Sequence, residues 1–261
     1  MFLRIDDIGA CSKEYEYYGK TSFNFLNKNW PLPELFTNFL FMKKFPLWSG
    51  WARYSELSEN EWESILDFLI KNKLILNVAI TACWVNKDNK LMRFDKKFPL
   101  QTKIIKEGQS NNLIYILNHG LTHCIPGRHM PMRFRSNQKY HREFSKYLTS
   151  YNHYIHLKKS QDIIKDIFGS FPEIFVPPGN QYNIETLKAM KKLGMKYIQC
   201  NRDYSHQPSK TDLEKFSIIH IDNKNVDVLH DKDIVINGVD YLRSINNFSK
   251  NRYYSMKKLI D

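Results

Sequence analysis

Two histidines, His119 and His123, stand four residues apart directly after the apolar run Leu113–Leu117. If the chain turns as a helix beyond that run, both imidazoles lie on one face and can bind a single divalent cation. Histidine pairs at this spacing also occur as ordinary core or surface residues. The pair therefore indicates a metal site only in company with other polar groups.

Such groups follow other apolar runs of the chain. Asp6 and Asp7 lie near the end of the first run, and a late run ends at His230. A third run leads into Pro177, Pro178, Gly179 and Asn180. Because the carboxyl ends of parallel strands meet at one mouth of an α/β barrel, we expect these groups to lie close together.

The order of these features, an acid pair, HxxxH, a double proline and Leu-His, resembles the polysaccharide deacetylase family, whose core is the NodB homology domain. The resemblance covers residues 2–233. It implies an α/β fold, a distorted (β/α)7-type barrel of mostly parallel strands in a single domain. We expect a catalytic domain over residues 1–233 with an aromatic-rich insertion at about 10–57, followed by a basic, helical extension at 234–261.

The resemblance also implies roles for individual residues. Asp7, His119 and His123 would bind the metal ion, Asp6 would be the catalytic base, and His230 the catalytic acid. One carboxylate and two imidazoles suit a zinc-like ion and leave coordination positions open, as a catalytic site requires. Zn²⁺ is the expected ion, with Co²⁺, Ni²⁺, Mn²⁺ and Fe²⁺ as alternatives.

Two positions depart from the family pattern. Val176 stands where the family has an arginine that pairs with the catalytic aspartate, and Gly120 stands where it has Ser or Thr. Arg4 precedes Asp6 by two residues on the same strand and so points to the same face. Arg4 is therefore a candidate replacement, and Arg202 is a second one.

Two segments are candidates for substrate binding. The Pro177-Pro178-Gly179-Asn180 segment is foremost a turn, and its backbone would border the acyl pocket. Arg128 lies in a basic loop after the histidine pair, where it would either meet an anionic substrate or face solvent. Five other histidines have no evident partners, and we interpret them as structural: His141, His153, His156, His206 and His220.

Composition fits one cytoplasmic catalytic domain. The chain has 261 residues, of which 42% are hydrophobic, enough for one large core. Its four cysteines are scattered, which favours free thiols over a zinc site or disulfides. The chain begins in a strand-like run rather than a signal peptide, and its apolar runs are shorter than the roughly 20 residues that span a bilayer.

The net charge of +12 has three readings. Dispersed lysines are typical of a solvated surface, whereas a basic rim would attract anionic substrates or a membrane surface. We expect no nucleic-acid partner. A sugar handled inside the cell is commonly carried on a nucleotide or a lipid diphosphate, so the second reading leaves peripheral membrane contact open.

Periodicity predicts alternating strands and helices. Ser58 to Glu61 form a capping box that predicts a helix to Lys73, followed by a strand over Leu74–Ile80. A helical pattern runs from Tyr140 to Phe168 with a break near Asn152. Phe216–Ile221 is predicted as a strand.

The sequence thus predicts a metal-dependent hydrolase that removes an N-acyl group, N-acetyl first of all, from a sugar in bacterial surface glycan biosynthesis. A sugar N-deformylase is one alternative, since only the pocket volume would differ. A carbohydrate-binding protein that has lost turnover is another, and Val176 favours it.

Overall fold

The computed structural model describes residues 2–50, 53–202, 207–244 and 255–259. Trp51 of the insertion, His206 and most of the predicted C-terminal extension beyond residue 244 lie outside these ranges.

The described residues contain eleven strands and ten α-helices, numbered in chain order. The strands are β1 (Phe2–Ile8), β2 (Ser22–Phe25), β3 (Lys28–Pro31), β4 (Leu76–Ile80), β5 (Cys83–Val85), β6 (Leu91–Arg93), β7 (Ile114–Asn118), β8 (Ile174–Phe175), β9 (Tyr197–Gln199), β10 (Ile219–Ile221) and β11 (Val226–His230). The helices are α1 (Ser12–Tyr15), α2 (Glu34–Thr37), α3 (Glu59–Asn72), α4 (Phe94–Lys97), α5 (Pro99–Ser110), α6 (Ser150–Phe168), α7 (Ile184–Lys192), α8 (Lys210–Phe216), α9 (Asp231–Asn237) and α10 (Tyr241–Ser244).

Seven parallel strands form the central sheet, in the order β10-β9-β8-β7-β4-β1-β11. Its edge strands, β10 and β11, do not pair with each other within the described chain, so the barrel is open. The predicted α/β fold with a distorted seven-stranded parallel barrel is confirmed. Two antiparallel hairpins, β2–β3 and β5–β6, lie outside the sheet.

The helix predicted from its capping box is confirmed as α3. The Ser58 hydroxyl accepts from the Glu61 backbone N–H, and the Glu61 carboxylate accepts from the Ser58 N–H. Such a cap contributes about 1 kcal/mol. Trp62 and Leu69 of α3 are fully buried in the main core with the β1 residue Ile5.

Two predictions of secondary structure were wrong, one of a helix and one of a strand. The helical pattern from Tyr140 does not form a helix before Ser150, because the chain over 141–149 turns to bury Glu143 beneath the histidine loop. Phe216 ends helix α8 rather than starting a strand. Ser209 and Asp212 form a capping box that starts α8, and that pattern was readable in the sequence.

The insertion is an ordered segment that contains α1, the β2–β3 hairpin and α2. Lys43 fixes it to the rest of the chain, because its buried ammonium donates to the backbone carbonyls of Met132 and Arg135, each at 2.8 Å. All four cysteines are free and buried, as expected. In the part of the chain described, no helix has the length and apolar character needed to cross a bilayer.

Candidate active site

Side chains at or just after the ends of β1, β7, β8 and β11 meet at one cavity of about 250 Å³. Asp6 pairs in register with His230 across β1 and β11, and His119 follows β7 directly. The cavity is lined by Asp6, Asp7, Glu16, Tyr18, His119, His123, Gln138, His141, Arg142, Pro177, Gly179, Asn180 and His230. The structure therefore brings together both acids and all three histidines of the predicted site.

Asp7, His119 and His123 form a buried cluster that fits a divalent cation. Their ligand atoms all lie within 4.8 Å of one another. Asp7 Oδ1 is 3.3 Å from His119 Nε2 and 2.9 Å from His123 Nε2. The second contact lacks hydrogen-bond geometry, so neither ring nitrogen of His123 has a hydrogen-bond partner in the described residues. Buried, unpartnered nitrogens beside a carboxylate are a donor set suited to a metal ion.

The charge of Asp7 agrees with that fit. Burial alone would raise the pKa of Asp7, but the charge of His123 and the contacts with both imidazoles hold it well below its usual range. Asp7 is therefore anionic.

The ring of His119 is oriented by the chain segment that departs from the family pattern. His119 Nδ1 donates to the backbone carbonyl of Val176 at 2.8 Å. A carbonyl only accepts, so Nδ1 carries a proton, and Nε2 is the ring nitrogen that faces Asp7 and could bind a metal ion. The backbone at Val176 thus fixes the tautomer of His119, whatever the side chain there.

The two imidazoles converge without the helical turn that their spacing allows. Residues 119–123 form a loop in which Gly120 has φ +86° and His123 has φ +55°. The loop wraps around Glu143, whose carboxylate accepts from three successive backbone N–H groups, those of residues 121, 122 and 123, at 2.9 to 3.1 Å. These bonds replace the helical ones, so the two imidazoles converge through a loop.

Glu143 is fully buried, and besides the loop it binds the imidazole of His156. His156 Nδ1 donates to its carboxylate at 2.6 Å. Burial would raise the pKa of Glu143, but the bond to His156, the His156 charge and the backbone donors lower it. A Cβ at Gly120 would lie only 2.4 Å from Glu143 Oε2, which explains why glycine replaces the family's Ser or Thr. The spacing between positions 120 and 143 carries no sequence signal for this contact.

Adjacent Asp6 and Asp7 reach the same cavity because of a backbone irregularity. Strand β1 continues to Ile8, and its register with β4 shifts between Ile5 and Ile8. Asp7 lies in the left-handed region with φ +68°. That conformation turns its side chain away from the strict alternation of a strand.

A buried ion cluster supports the Asp7 backbone. The Lys13 ammonium donates to the Asp7 carbonyl and lies 3.2 Å from Glu56 and 2.5 Å from Asp231. Glu56 in turn accepts from the Gly9 N–H at 2.8 Å. Burial by itself would lower the pKa of Lys13, but the charges of Asp231 and Glu56 raise it. The lysine therefore stays charged beneath the site.

Arg4 is the positive partner of Asp6. Its Nη2 donates to Asp6 Oδ2 at 2.6 Å, and both side chains are buried. Arg202 is exposed and lines a separate pocket with His220 and Asp222, so the structure does not bring it to the cavity. Of the two candidate replacements for the family's arginine, only Arg4 lies beside Asp6.

His230 lies at the cavity rim. Its side chain is 49% exposed, and its Nδ1 is 4.0 Å from Asp233. The Asp233 carboxylate also accepts from the His230 backbone N–H at 2.9 Å. This position leaves the imidazole open to a ligand in the cavity.

Some of the candidate substrate-binding residues line the cavity and others do not. Pro177, Gly179 and Asn180 line the cavity, whereas Pro178 is buried behind it and does not. Arg128 is exposed, with its guanidinium 5.7 Å from the ring centroid of Tyr140, and does not line the cavity either.

Four cavity residues were not predicted from the sequence: Glu16, Tyr18, Gln138 and Arg142. Arg142 lies near the loop that holds Glu143, and Glu16 and Tyr18 come from the insertion. Burial, reinforced by the charge of Asp7, raises the pKa of Glu16 to about 8. His141, which we interpreted as structural, also lines the cavity, whereas His153 is buried and 2.9 Å from Thr186 Oγ1.

A larger cavity of about 520 Å³ lies elsewhere, between α6 and the segment before β9. Its lining residues include Phe171, Leu193 and Lys196 but no histidine. Size therefore does not identify the site, and the cluster of acids and imidazoles does.

Comparisons with known proteins agree with this chemistry. The sequence profile described as polysaccharide deacetylase matches residues 50–198, more than half of the chain. No curated protein sequence matches significantly.

Solved structures resemble the chain at low identity. A family 4 acetyl xylan esterase from Clostridium thermocellum in complex with a cobalt ion is 11% identical, with a TM-score of 0.47 over 78% of this chain and 86% of that one. A CE4 family pseudoenzyme from Bacillus anthracis is 15% identical, with a TM-score of 0.48 over 95% and 92%. A family 4 carbohydrate esterase from Streptomyces lividans in complex with acetate is 14% identical, with a TM-score of 0.43 over 73% and 80%.

Proposed function

The chain belongs to the polysaccharide deacetylase family, and from this premise we propose that it is a metal-dependent amidohydrolase that removes an N-acyl group, N-acetyl first of all, from a sugar. We place this reaction in the assembly of a bacterial surface glycan. The observation that carries the proposal is the meeting of Asp7, His119 and His123 with Asp6 and His230 in one cavity.

The metal ligands in this proposal are Asp7, His119 and His123. When bound, a divalent cation such as Zn²⁺ supplies Lewis acidity that makes water more acidic and the acyl carbonyl more electrophilic. With three protein ligands rather than four, the ion would keep coordination positions open for the water and the acyl carbonyl.

Asp6 and His230 move the protons. Asp6, whose carboxylate accepts from the Arg4 guanidinium at 2.6 Å, accepts a proton from the attacking water. His230 at the rim donates a proton to the nitrogen as the C–N bond breaks, because an amine leaves poorly without one. The products are a carboxylic acid and an amino sugar.

We further propose that the sugar carries an anionic group, as a nucleotide- or lipid-linked sugar does. A second cavity, of about 460 Å³, adjoins the first through Arg142, which lines both. Lys139 and Lys146 also line it, and no acidic side chain of the described residues does. A phosphate beside the sugar would meet this positive charge. Replacing Arg142 by Met should then raise KM for a nucleotide-linked sugar more than for the free sugar.

The test of the activity uses metal-loaded protein with free and nucleotide-linked N-acetyl and N-formyl sugars. Release of acetate would support deacetylation. Release of formate alone would show that the protein is instead a sugar N-deformylase. If neither acid is released while the sugars bind, the activity is contradicted.

That last result would support a second candidate, a carbohydrate-binding protein on the same fold. The observation that favours it is Val176, buried at the position where the family has an arginine. Arg4 argues against it, since it supplies the charge beside Asp6 from another position.

A further inference from the structure

The insertion exposes a concentration of large apolar side chains. Six of them within residues 25–47 are at least half exposed. We use the name aromatic face for these six exposed side chains of the insertion, Phe25 (57%), Leu26 (80%), Trp30 (50%), Leu35 (70%), Phe41 (59%) and Leu47 (76%). Scattered apolar residues on a surface are ordinary, but a group of this size on one short segment marks an interaction site.

At the tip of the β2–β3 hairpin, contacts within the chain do not explain why the apolar side chain is exposed. Leu26 and Asn27 form its two-residue loop, with φ +51° and +59°. Such turns favour Asn and Gly, because a Cβ disfavours the left-handed region, and leucine is a poor choice there. Since Leu26 is 80% exposed, contacts within the chain do not compensate for this strain. The side chain is presented outward.

The aromatic face is joined to a basic loop. Besides the bonds from Lys43 to Met132 and Arg135, the rings of Phe39 and Phe134 stack with centroids 5.5 Å apart. Residues 128–135 contain three arginines and no acid, and residues 17–50 contain four lysines and one acid. The exposed cations of this basic rim are Lys20, Lys28, Lys44, Arg128, Arg133 and Arg135.

We propose that the aromatic face and its basic rim bind the surface of an anionic phospholipid bilayer. Tryptophan, phenylalanine and leucine side chains enter the boundary between headgroups and acyl chains, and lysine and arginine attract anionic headgroups. A second copy of this chain fits less well, because a symmetric contact through the face would bring two basic rims together. The excess of cations selects an anionic surface.

The face is attached at the rim of the catalytic cavity. Two backbone bonds close the base of the insertion, Lys20 N–H to the Trp48 carbonyl at 2.7 Å and Gly50 N–H to the Tyr18 carbonyl at 2.9 Å. Tyr18 itself lines the cavity. A protein docked by this face would therefore be attached to the membrane through a segment whose base lines the cavity. The inference does not depend on the proposed hydrolysis.

The experiment is co-sedimentation of the full chain with vesicles of phosphatidylcholine alone and of phosphatidylcholine mixed with phosphatidylglycerol. The protein should sediment with the mixed vesicles only, and less as salt is raised. Leu26→Asn should weaken sedimentation about tenfold or more, and Leu26→Asn with Trp30→Ser should abolish it. Because Asn tolerates a positive φ, the melting temperature of Leu26→Asn should be unchanged or higher. Ile70→Gln, at a residue of α3 that is 59% exposed, is the matched control and should bind as the wild type does.

Three results would overturn the proposal. The wild type could fail to sediment with mixed vesicles at low salt, or the double variant could sediment as the wild type does. A concentration-dependent dimer in sedimentation velocity that Leu26→Asn dissociates would assign the face to a second copy instead.

Discussion

At the scale of single residues, the site depends on side chains whose geometry is set by their backbone. Asp7 and His123 both have positive φ, a conformation that costs of the order of 1–3 kcal/mol for a residue other than glycine. Contacts around these residues maintain the strained backbone. As a result, the Asp7 carboxylate and the His123 imidazole point into the same space. His119 is instead oriented by its bond to the Val176 carbonyl. Two of the three side chains are thus directed by a left-handed backbone conformation, and the third by a hydrogen bond.

His123→Ala should release the metal while the fold is retained. The alanine removes one of three ligands, and the loop bonds to Glu143 involve the backbone of residue 123 rather than its ring. Metal content by elemental analysis, with circular dichroism for the fold, measures both parts. Full occupancy in the variant would exclude His123 as a ligand.

His230→Ala should lower turnover about a hundredfold or more, with metal content and substrate affinity nearly unchanged. Only the transition state requires the proton of a general acid. The side chain is half exposed, so its removal leaves no cavity in the core. Steady-state kinetics on an identified substrate, beside its dissociation constant, provide the measurement. Unchanged turnover would remove His230 from the mechanism.

At the scale of elements, the loop after β7 replaces the expected helix with bonds to a distant carboxylate. Glu143 precedes α6, and its partner His156 lies within that helix. The two therefore couple the position of α6 to the loop that carries His123. The Lys13 cluster supports β1 in a similar way. Lys13 of α1 contacts Asp231 of α9 and donates to the Asp7 carbonyl of β1. Both supports are buried and charged, so breaking either leaves an uncompensated group.

Glu143→Gln should weaken metal affinity by roughly 10- to 100-fold, the usual effect of losing a residue that orients a ligand. An amide nitrogen cannot accept from the loop N–H groups, so part of the loop would lose its bonds. Calorimetric titration of metal-free protein with Zn²⁺ measures the change. Glu173→Gln, at an exposed glutamate, is the control. Equal affinities for the two variants would contradict the role of Glu143.

At the scale of the whole molecule, buried titratable groups of two kinds act on stability in opposite directions. Burial lowers the pKa of His141 to about 3 and that of His153 to about 4, so the unfolded chain binds more protons than the folded one below the ordinary value of 6.5. Burial raises the pKa of Glu16 from 4.5 to about 8, so the folded chain holds a proton that the unfolded chain releases. Through His141 and His153 the protein loses folding stability as pH falls, and through Glu16 it loses folding stability as pH rises.

Two variants should separate these sets in protein treated with a chelator. The stability of the wild type relative to His153→Gln should rise by about 1.4 kcal/mol per pH unit between about pH 4 and 6.5. Relative to Glu16→Gln it should fall at about the same rate between about pH 4.5 and 8. Urea unfolding across these ranges gives the free energies. Parallel curves for all three proteins would contradict both shifts.

The sequence by itself determined the alternation of strands and helices and the residues at the strand ends. Ser58 and Glu61 predict the start of α3 because a capping box is a local pattern. Asp6, Asp7, His119, His123 and His230 follow apolar runs, and parallel strands bring their ends together wherever the intervening chain goes. Arg4 beside Asp6 was likewise predictable, since residues two apart share a strand face.

Only the tertiary structure decided what holds these side chains in place. Glu143 accepts from the histidine loop across about twenty residues, Lys13 joins two helices beneath Asp7, and Arg142 reaches two cavities. The helical pattern at 140–149 misled because burial of Glu143 overrides local propensity. Contacts between distant segments depend on how the elements pack, and periodicity in one segment carries no information about its partner.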